Sequence, residues 1–156
     1  MFKNFGSVSL GVAALGVAAC NPMAELGDAD EEVAKFHKDF GAKNFEGIWA
    51  DSHQAMQDSG TREQFDATFA SLSQYWGKVK TTERESFSIN TNNGVTTVKV
   101  THNTEFDAGS AVEDFNFIRD DDVLKLAGYT IDTKEQAEAA KKEADEAKEK
   151  EDAEEE

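Results

Sequence analysis

At Val79 the apolar residues stop recurring every third or fourth position and begin to alternate, and this change of period restricts the chain to a helical first half and a sheet-forming second half. Before it, Val33, Phe36, His37 and Phe40 fall on one helical face, with Asp28 and Glu31 placed to cap its start and Gly41 to stop it. Asn44 opens a second helix that carries Phe45, Ile48, Trp49, Ser52 and Met56 on one side, with Gly47 a local weakness, and Asp58-Ser59-Gly60 ends it. Thr61 and Gln64 form a capping box for a third helix, whose Phe65, Thr68, Phe69, Leu72 and Trp76 point inward before Gly77.

The second half reads as a meander. Phe87 and Ile89 lead into Asn92-Asn93-Gly94, a hairpin signal because Asn and Gly both tolerate positive φ. The next strand sets Val98, Val100, His102, Thr104 and Phe106 on one face and Lys99, Thr101, Asn103 and Glu105 on the other. Residues 111–119 and 123–131 supply two further strands, separated by Asp120-Asp121-Asp122. Both faces of these last two strands carry apolar residues, so one face is expected against the helices and the other under the tail, a partner or a second copy. The expected class is α+β, with N-terminal helices packed on a four-stranded antiparallel meander.

Two flanking segments differ in composition from this unit. Residues 1–19 have the parts of an export signal: Lys3, then a run of Val, Leu, Ala and Gly interrupted by Asn4, Ser7 and Ser9, then small residues. The run falls short of the roughly 20 apolar residues of a membrane-crossing helix. Val17-Ala18-Ala19-Cys20 resembles the bacterial lipobox, in which the cysteine is acylated and becomes the first residue of the mature chain. An ordinary cleavable signal with an incidental cysteine is the alternative. Cys20 is the only cysteine, so it has no partner for an internal disulfide, and lipidation accounts for it. The expected address is the bacterial cell envelope, with the chain anchored through Cys20 and facing the periplasm. Asn21 after the cysteine favours the outer membrane over the inner by resemblance to the enterobacterial sorting pattern. Residues 20–27, with the only proline, read as a lipidated tether, and 28–133 as the domain.

Residues 134–156 are Glu, Lys and Ala for the most part, with Thr133 and Gln136 able to cap a helix and Ala137, Ala140, Ala144 and Ala147 as its only stripe. A solvated helix ending in a disordered acidic tail is expected. The formal charge is −16, and cleavage after residue 19 removes Lys3 and makes it one unit more negative. Such a field repels phosphates, so nucleic acid is excluded as a partner. An envelope protein or a second copy is the expected partner.

The three helices and long meander, with Phe45, Ile48 and Trp49 after a short turn and the closing run Val123-Leu124-Lys125-Leu126-Ala127-Gly128-Tyr129-Thr130-Ile131, resemble the bacterial domain-of-unknown-function family 4019. That family lies in the nuclear transport factor 2-like, or cystatin-like, superfamily. The resemblance covers about residues 30–132, and Leu124 or Leu126 stands where the family has a tryptophan. It implies a curved sheet that encloses a cone-shaped pocket with the helices.

His102 would face that pocket near Asp114, Asn116 or Tyr129, and these four are the candidate ligand-binding residues. A histidine so placed can act as a general base or hold a polar ligand; a hydrogen-bonded structural histidine is the plainer reading. Some members of the superfamily are isomerases or dehydratases that use Asp, His and Tyr, but no motif maps those residues here and no catalytic role is carried over. No metal or cofactor is expected: the chain has no Cys pair or His-x-x-x-His, no glycine-rich phosphate loop and no Gly-x-Ser-x-Gly. The expected function is non-catalytic binding of a partner or small ligand. A proton-transferring pocket enzyme and a structural spacer are the alternatives.

Overall fold

The computed structural model describes residues 22–154, so Cys20 and the expected export segment lie outside the described residues. Helices α1 (Pro22–Gly41), α2 (Phe45–Asp51), α3 (Gln54–Gln57) and α4 (Arg62–Trp76) precede strands β1 (Val79–Asn92), β2 (Val95–Phe106), β3 (Ser110–Asp120) and β4 (Val123–Thr133), and α5 (Lys134–Glu154) closes the chain. The strands form one open antiparallel sheet in the order β1-β2-β3-β4, and the core lies between one face of it and the helices.

α1 begins six residues earlier than expected, and residues 22–27 are helix rather than tether. Proline is at home in a first helical turn, where its missing N–H has no helical acceptor to lose. Burial continues the core stripe backward: Leu26 and Ala29 join Val33, Phe36 and Phe40. Arg119 of β3 fixes this first stretch through Glu25 (2.6 Å) and Asp28 (2.7 Å), and Arg84 of β1 holds Asp30 on the other side.

The expected second helix is broken into α2 and α3 because Ser52 and His53 adopt extended backbone. The break has partners: the Ser52 hydroxyl donates to the Ile48 carbonyl, the His53 imidazole accepts from Ala55 N–H, and His53 N–H donates to Leu126 O of β4 at 2.9 Å. The α2–α3 joint therefore covers part of the outer edge of the sheet. Gly47 leaves room for the cap of α2. A Cβ there would lie 2.3 Å from Asn44 Nδ2, whose side chain caps α2 by accepting from Gly47 N–H.

The capping box at Thr61 and Gln64 forms as expected. Thr68, expected inward, is exposed, whereas Phe65, Phe69, Ser73 and Trp76 are buried. Asn93 and Gly94 both have positive φ in the β1–β2 turn, and Asp121 does in the β3–β4 turn. Alternation in β2 and β3 is strict: Val98, Val100, His102, Thr104 and Phe106 face inward with Ala111, Glu113, Phe115 and Phe117.

In β4 the register shifts between the Asn116–Gly128 and Phe117–Leu126 pairs, leaving Ala127 unpaired. A one-residue bulge inverts the facing of everything beyond it. Leu124 and Leu126 point inward before the bulge, and Tyr129, paired with inward Phe115, does so after it. On the opposite face Val112 and Ile118 are half-buried among Thr101, Asp114 and Thr130, and among the described residues that face carries no aromatic side chain. α5 adjoins β3 and β4 and is capped by Thr133 and Gln136, with its described side chains exposed apart from half-buried Ala137.

Candidate functional site

Of the residues expected to form a site, His102 and Tyr129 point into the core, while Asp114 and Asn116 lie on the opposite face of the sheet. Strand parity separates them: Asp114 and Asn116 alternate with inward Glu113, Phe115 and Phe117. Asp114 is engaged where it lies, accepting from the Thr101 hydroxyl at 2.6 Å and pairing with Lys99 at 3.3 Å. Cys20, the expected lipidation site, falls outside the described residues.

The residue that organises the interior is Glu113. It is 0% exposed, directly opposite His102 in the β2–β3 register, yet its carboxylate is held by two other elements. His37 Nε2 of α1 donates to Oε2 at 2.9 Å, and the Tyr129 hydroxyl of β4 donates to Oε1 at 2.6 Å. Burial alone would raise this carboxyl, but the hydrogen bond and charge of His37, with further hydrogen bonds from Thr104 and Tyr129, outweigh it and hold the group below the usual carboxylate range. Burial, reinforced by the adjacent Glu113 charge, pushes the Tyr129 hydroxyl well up, so it remains a donor.

His102 joins this network indirectly. Its Nδ1 lies 2.9 Å from Thr82 Oγ1 of β1, which lies 2.8 Å from Thr104 Oγ1. With Thr104 donating to the carboxylate, Thr82 donates to Thr104 and His102 Nδ1–H donates to Thr82, an orientation that serves every hydroxyl and leaves the lone pair of Nε2 bare. Nε2 is the buried side-chain atom without a hydrogen-bond partner among the described residues. Burial, then the neighbouring His37, depresses the His102 pKa, so the ring is neutral at pH 7.

The carboxylate at the centre of this network is buried, whereas Thr82 at its β1 end is exposed. Phe36, Phe69, Phe115 and Tyr129 fill the space around the network, with Phe36 to Tyr129 ring centroids 4.7 Å apart and Phe36 to Phe115 5.2 Å apart. The arrangement can hold β1, β2, β3, β4 and α1 together through charge-assisted hydrogen bonds. Sequence reasoning placed His37 on the apolar face of the first helix and Thr104 on the face of His102, and passed over Glu113 and Thr82. The signal for Glu113 was its parity with Phe115 and Phe117.

An open concavity lies on the helix side of the domain. Phe36, Ile48, Phe117 and Leu126 form its floor, and Glu32, Lys35, Asp39 and Asp51 its rim, around a cavity of about 30 Å³ that opens to solvent. Lys35 Nζ reaches across the mouth from α1 to Asp51 of α2 at 2.8 Å and lies 3.9 Å from Glu32. Among the described residues no three His, Cys, Asp or Glu side chains converge so as to hold a metal ion, and no helix is long and apolar enough to cross a membrane.

No protein-family profile matches the chain, and no curated protein aligns with it significantly.

Proposed function

We propose that the chain is a lipid-anchored bacterial envelope protein whose α+β domain binds a protein partner or a small ligand without catalysis. The observation that carries the non-catalytic reading is the burial of the Glu113 carboxylate, whose two oxygens are taken by His37 and Tyr129. An enzyme of the proton-transfer kind needs its base within hydrogen-bond reach of a bound substrate. The neutral His102 ring is packed against Phe115 at 5.8 Å instead.

The anchor reading rests on the lipobox-like Val17-Ala18-Ala19-Cys20 and, through Asn21, extends to the outer membrane. Acyl chains contribute about 0.8 kcal/mol per buried methylene, and two or three of them make a stable anchor. The fold suits such an arrangement. Arg119, beside the β3–β4 turn, fixes the start of α1, whereas α5 leaves from the far end of β4, where Thr133 pairs with Ala111. The start of α1 and the acidic helix thus belong to opposite ends of the β3–β4 hairpin. The order of helices and meander, with Tyr129 pointing inward, also suits a nuclear transport factor 2-like fold whose cone is filled by its own aromatic residues. Because the outer sheet face lacks aromatic side chains, the binding surface is assigned to the helix side, where the open cleft lies.

The test is cross-linking of the native protein in intact cells followed by mass spectrometry, alongside Cys20→Ala. Recovery of one abundant envelope partner through α1 or α2 supports the binding reading; cross-links no richer than background count against it and favour a spacer. Cys20→Ala is expected to lose acyl labelling and membrane retention. Retention of both would refute the anchor.

A further inference from the structure

The first helix leaves almost no chain between the expected anchor and the folded domain. α1 starts at Pro22, so Asn21 alone separates it from Cys20, and two residues of extended chain reach about 7 Å. That is close to the depth of one headgroup layer, roughly 5–7 Å on each side of the hydrocarbon. A protein held through Cys20 therefore keeps the start of α1 at the bilayer surface. Nor can α1 swing freely there. Arg119 of β3 pairs with Glu25 at 2.6 Å and with Asp28 at 2.7 Å, and its other terminal nitrogen donates to the Asp122 carbonyl of the β3–β4 turn at 2.8 Å. One side chain thus joins the beginning of α1 to that turn.

The strand register settles what else lies at this end. Thr97 pairs with Ile118 and Asp120 with Val123, so continuing the β2–β3 ladder by two residues sets Val95, Asp120 and Val123 in one row across three strands. Their neighbours Thr96 and Leu124 are buried on the inner face, so Val95 and Val123 project from the outer one, 50% and 52% exposed. Between them the Asp120 carboxylate is paired with Lys125 at 2.7 Å. The β2–β3 turn at residues 107–109 and the start of α5 lie at the other end of the sheet, about ten residues or roughly 30 Å away. The most acidic run of the chain, residues 134–156 with eleven carboxylates and five lysines, begins there.

We propose that the end formed by the start of α1 and the β1–β2 and β3–β4 turns is a membrane-contacting surface, lying on the bilayer that holds the acyl chains of Cys20 and setting Val95 and Val123 among its headgroups. The inference rests on the anchor reading above and adds to it the face that the domain turns to the lipid. The occupant is a bilayer because the short link brings one to this end of the domain and to no other. Its charge follows from the side chains present. Arg119 and Lys125 are already paired with carboxylates, and the turns carry Asn92, Asn93 and Gly94 on one side and Asp121 and Asp122 on the other. No basic patch faces the lipid, so a zwitterionic surface suits this end and an anionic one repels it. α5 starts at the far end, where its carboxylates are held off the membrane.

The test places acylated full-length protein in phosphatidylcholine nanodiscs that include a lipid with a gadolinium-chelate headgroup, and compares its backbone amide signals with those in discs carrying diamagnetic lutetium. Signals of residues 93–95 and 121–123 are expected to disappear, and those of 107–109 and 134–136 to remain. Val95→Asp combined with Val123→Asp changes two half-exposed positions and should leave thermal unfolding close to that of the parent. It should restore the signals of 93–95 and 121–123 while those of 23–26, next to the anchor, stay broadened. Replacing part of the phosphatidylcholine by phosphatidylglycerol should restore them in part. Equal loss at both ends, loss strongest on α4 or α5, an unchanged pattern in the double variant, or deeper loss on anionic discs would overturn the inference. A protein that carries no acyl chain, or that leaves the discs, would overturn the anchor reading and this inference together; an acylated protein that stays on the discs with its signals lost uniformly would overturn this inference alone.

Discussion

Replacing Glu113 by Gln keeps the size and shape of the side chain and removes its charge, so it isolates what the buried carboxylate contributes. In the parent, Oε2 accepts from His37 Nε2 and Oε1 from the Tyr129 hydroxyl. Glutamine has one accepting oxygen, so its amide nitrogen can keep both contacts only if it faces Tyr129 and the hydroxyl turns to accept from it. Neither bond is then made to an ionised group. Since hydrogen bonds to charged groups are worth about 1.5–3 kcal/mol and neutral ones about 1, Glu113→Gln is expected to cost roughly 1–4 kcal/mol. At about 4 °C per kcal/mol for a domain of this size, the midpoint of thermal unfolding, followed by far-ultraviolet circular dichroism, should fall by roughly 4–16 °C.

Two controls make the reasoning refutable. The Glu113 pKa is held below its unfolded value, so its stabilisation is complete above the ordinary carboxylate range and disappears as pH falls through the lower folded value. Glu113→Gln should therefore lose the part of the acid dependence that lies below about pH 4.5, the ordinary glutamate range. The triple variant Glu113→Leu, His37→Leu, Tyr129→Phe removes donors and acceptor together, and buried ionic groups replaced by apolar ones of similar volume are often tolerated. It should recover most of the loss. A Glu113→Gln protein within about 0.5 kcal/mol of the parent, with the same acid slope, would show that the network contributes little, because surface-like substitutions give changes of that size.

His102→Phe exchanges the Thr82 hydrogen bond, worth about 1 kcal/mol, for removal of a bare buried nitrogen, so urea midpoints at pH 7 should change little. The folded His102 pKa lies below its unfolded value, so the unfolded chain takes up the proton first and stability falls as pH drops below about 6.5; the variant should flatten that slope, and an unchanged slope would count against the assignment. Gly77 has φ 75° and a Cβ there would lie 2.7 Å from Asp107 Cβ, whereas Gly94 has φ 82° with open space around it. Gly77→Ala should cost more than the about 1–2 kcal/mol of left-handed strain expected for Gly94→Ala, as measured by chemical denaturation. Arg119→Ala leaves the largely buried Glu25 carboxylate without its partner, and should accelerate amide exchange across residues 23–28 ahead of the rest of α1.

The elements legible in the sequence are those whose signals are local. Thr61 with Gln64, Asn93 with Gly94 and the alternation from Val95 to Phe106 each require only near neighbours, and each forms as expected. The differences arise where a distant residue decides. Pro22 to Gly27 read as a tether because the segment is short and carries the only proline, but Leu26 finds the core and Glu25 finds Arg119, 94 positions away. Ser52 ended α2 for a similar reason: the backbone of β4 supplies the acceptor that His53 N–H takes.

The candidate site divides along the same line. Choosing Asp114 and Asn116 as partners for His102 followed their polarity and set aside the register that their neighbours Phe115 and Phe117 already displayed. Parity was the stronger signal, because a residue between two inward phenylalanines cannot face the same way, whereas a carboxylate two positions before one of them can be buried if donors meet it. Those donors come from α1 and from β4, and Tyr129 reaches Glu113 only because Ala127 is left unpaired and the strand changes facing there. Were Ala127 paired instead, Gly128 and Thr130 would point inward and Glu113 would lose a donor. The aromatic cage and its buried charge therefore depend on how β4 accommodates one extra residue: whether Ala127 is bulged out or deleted, Gly128 can pair with Asn116 and Tyr129 can face Glu113, so deletion of Ala127 is expected to regularise the sheet and spare the polar network.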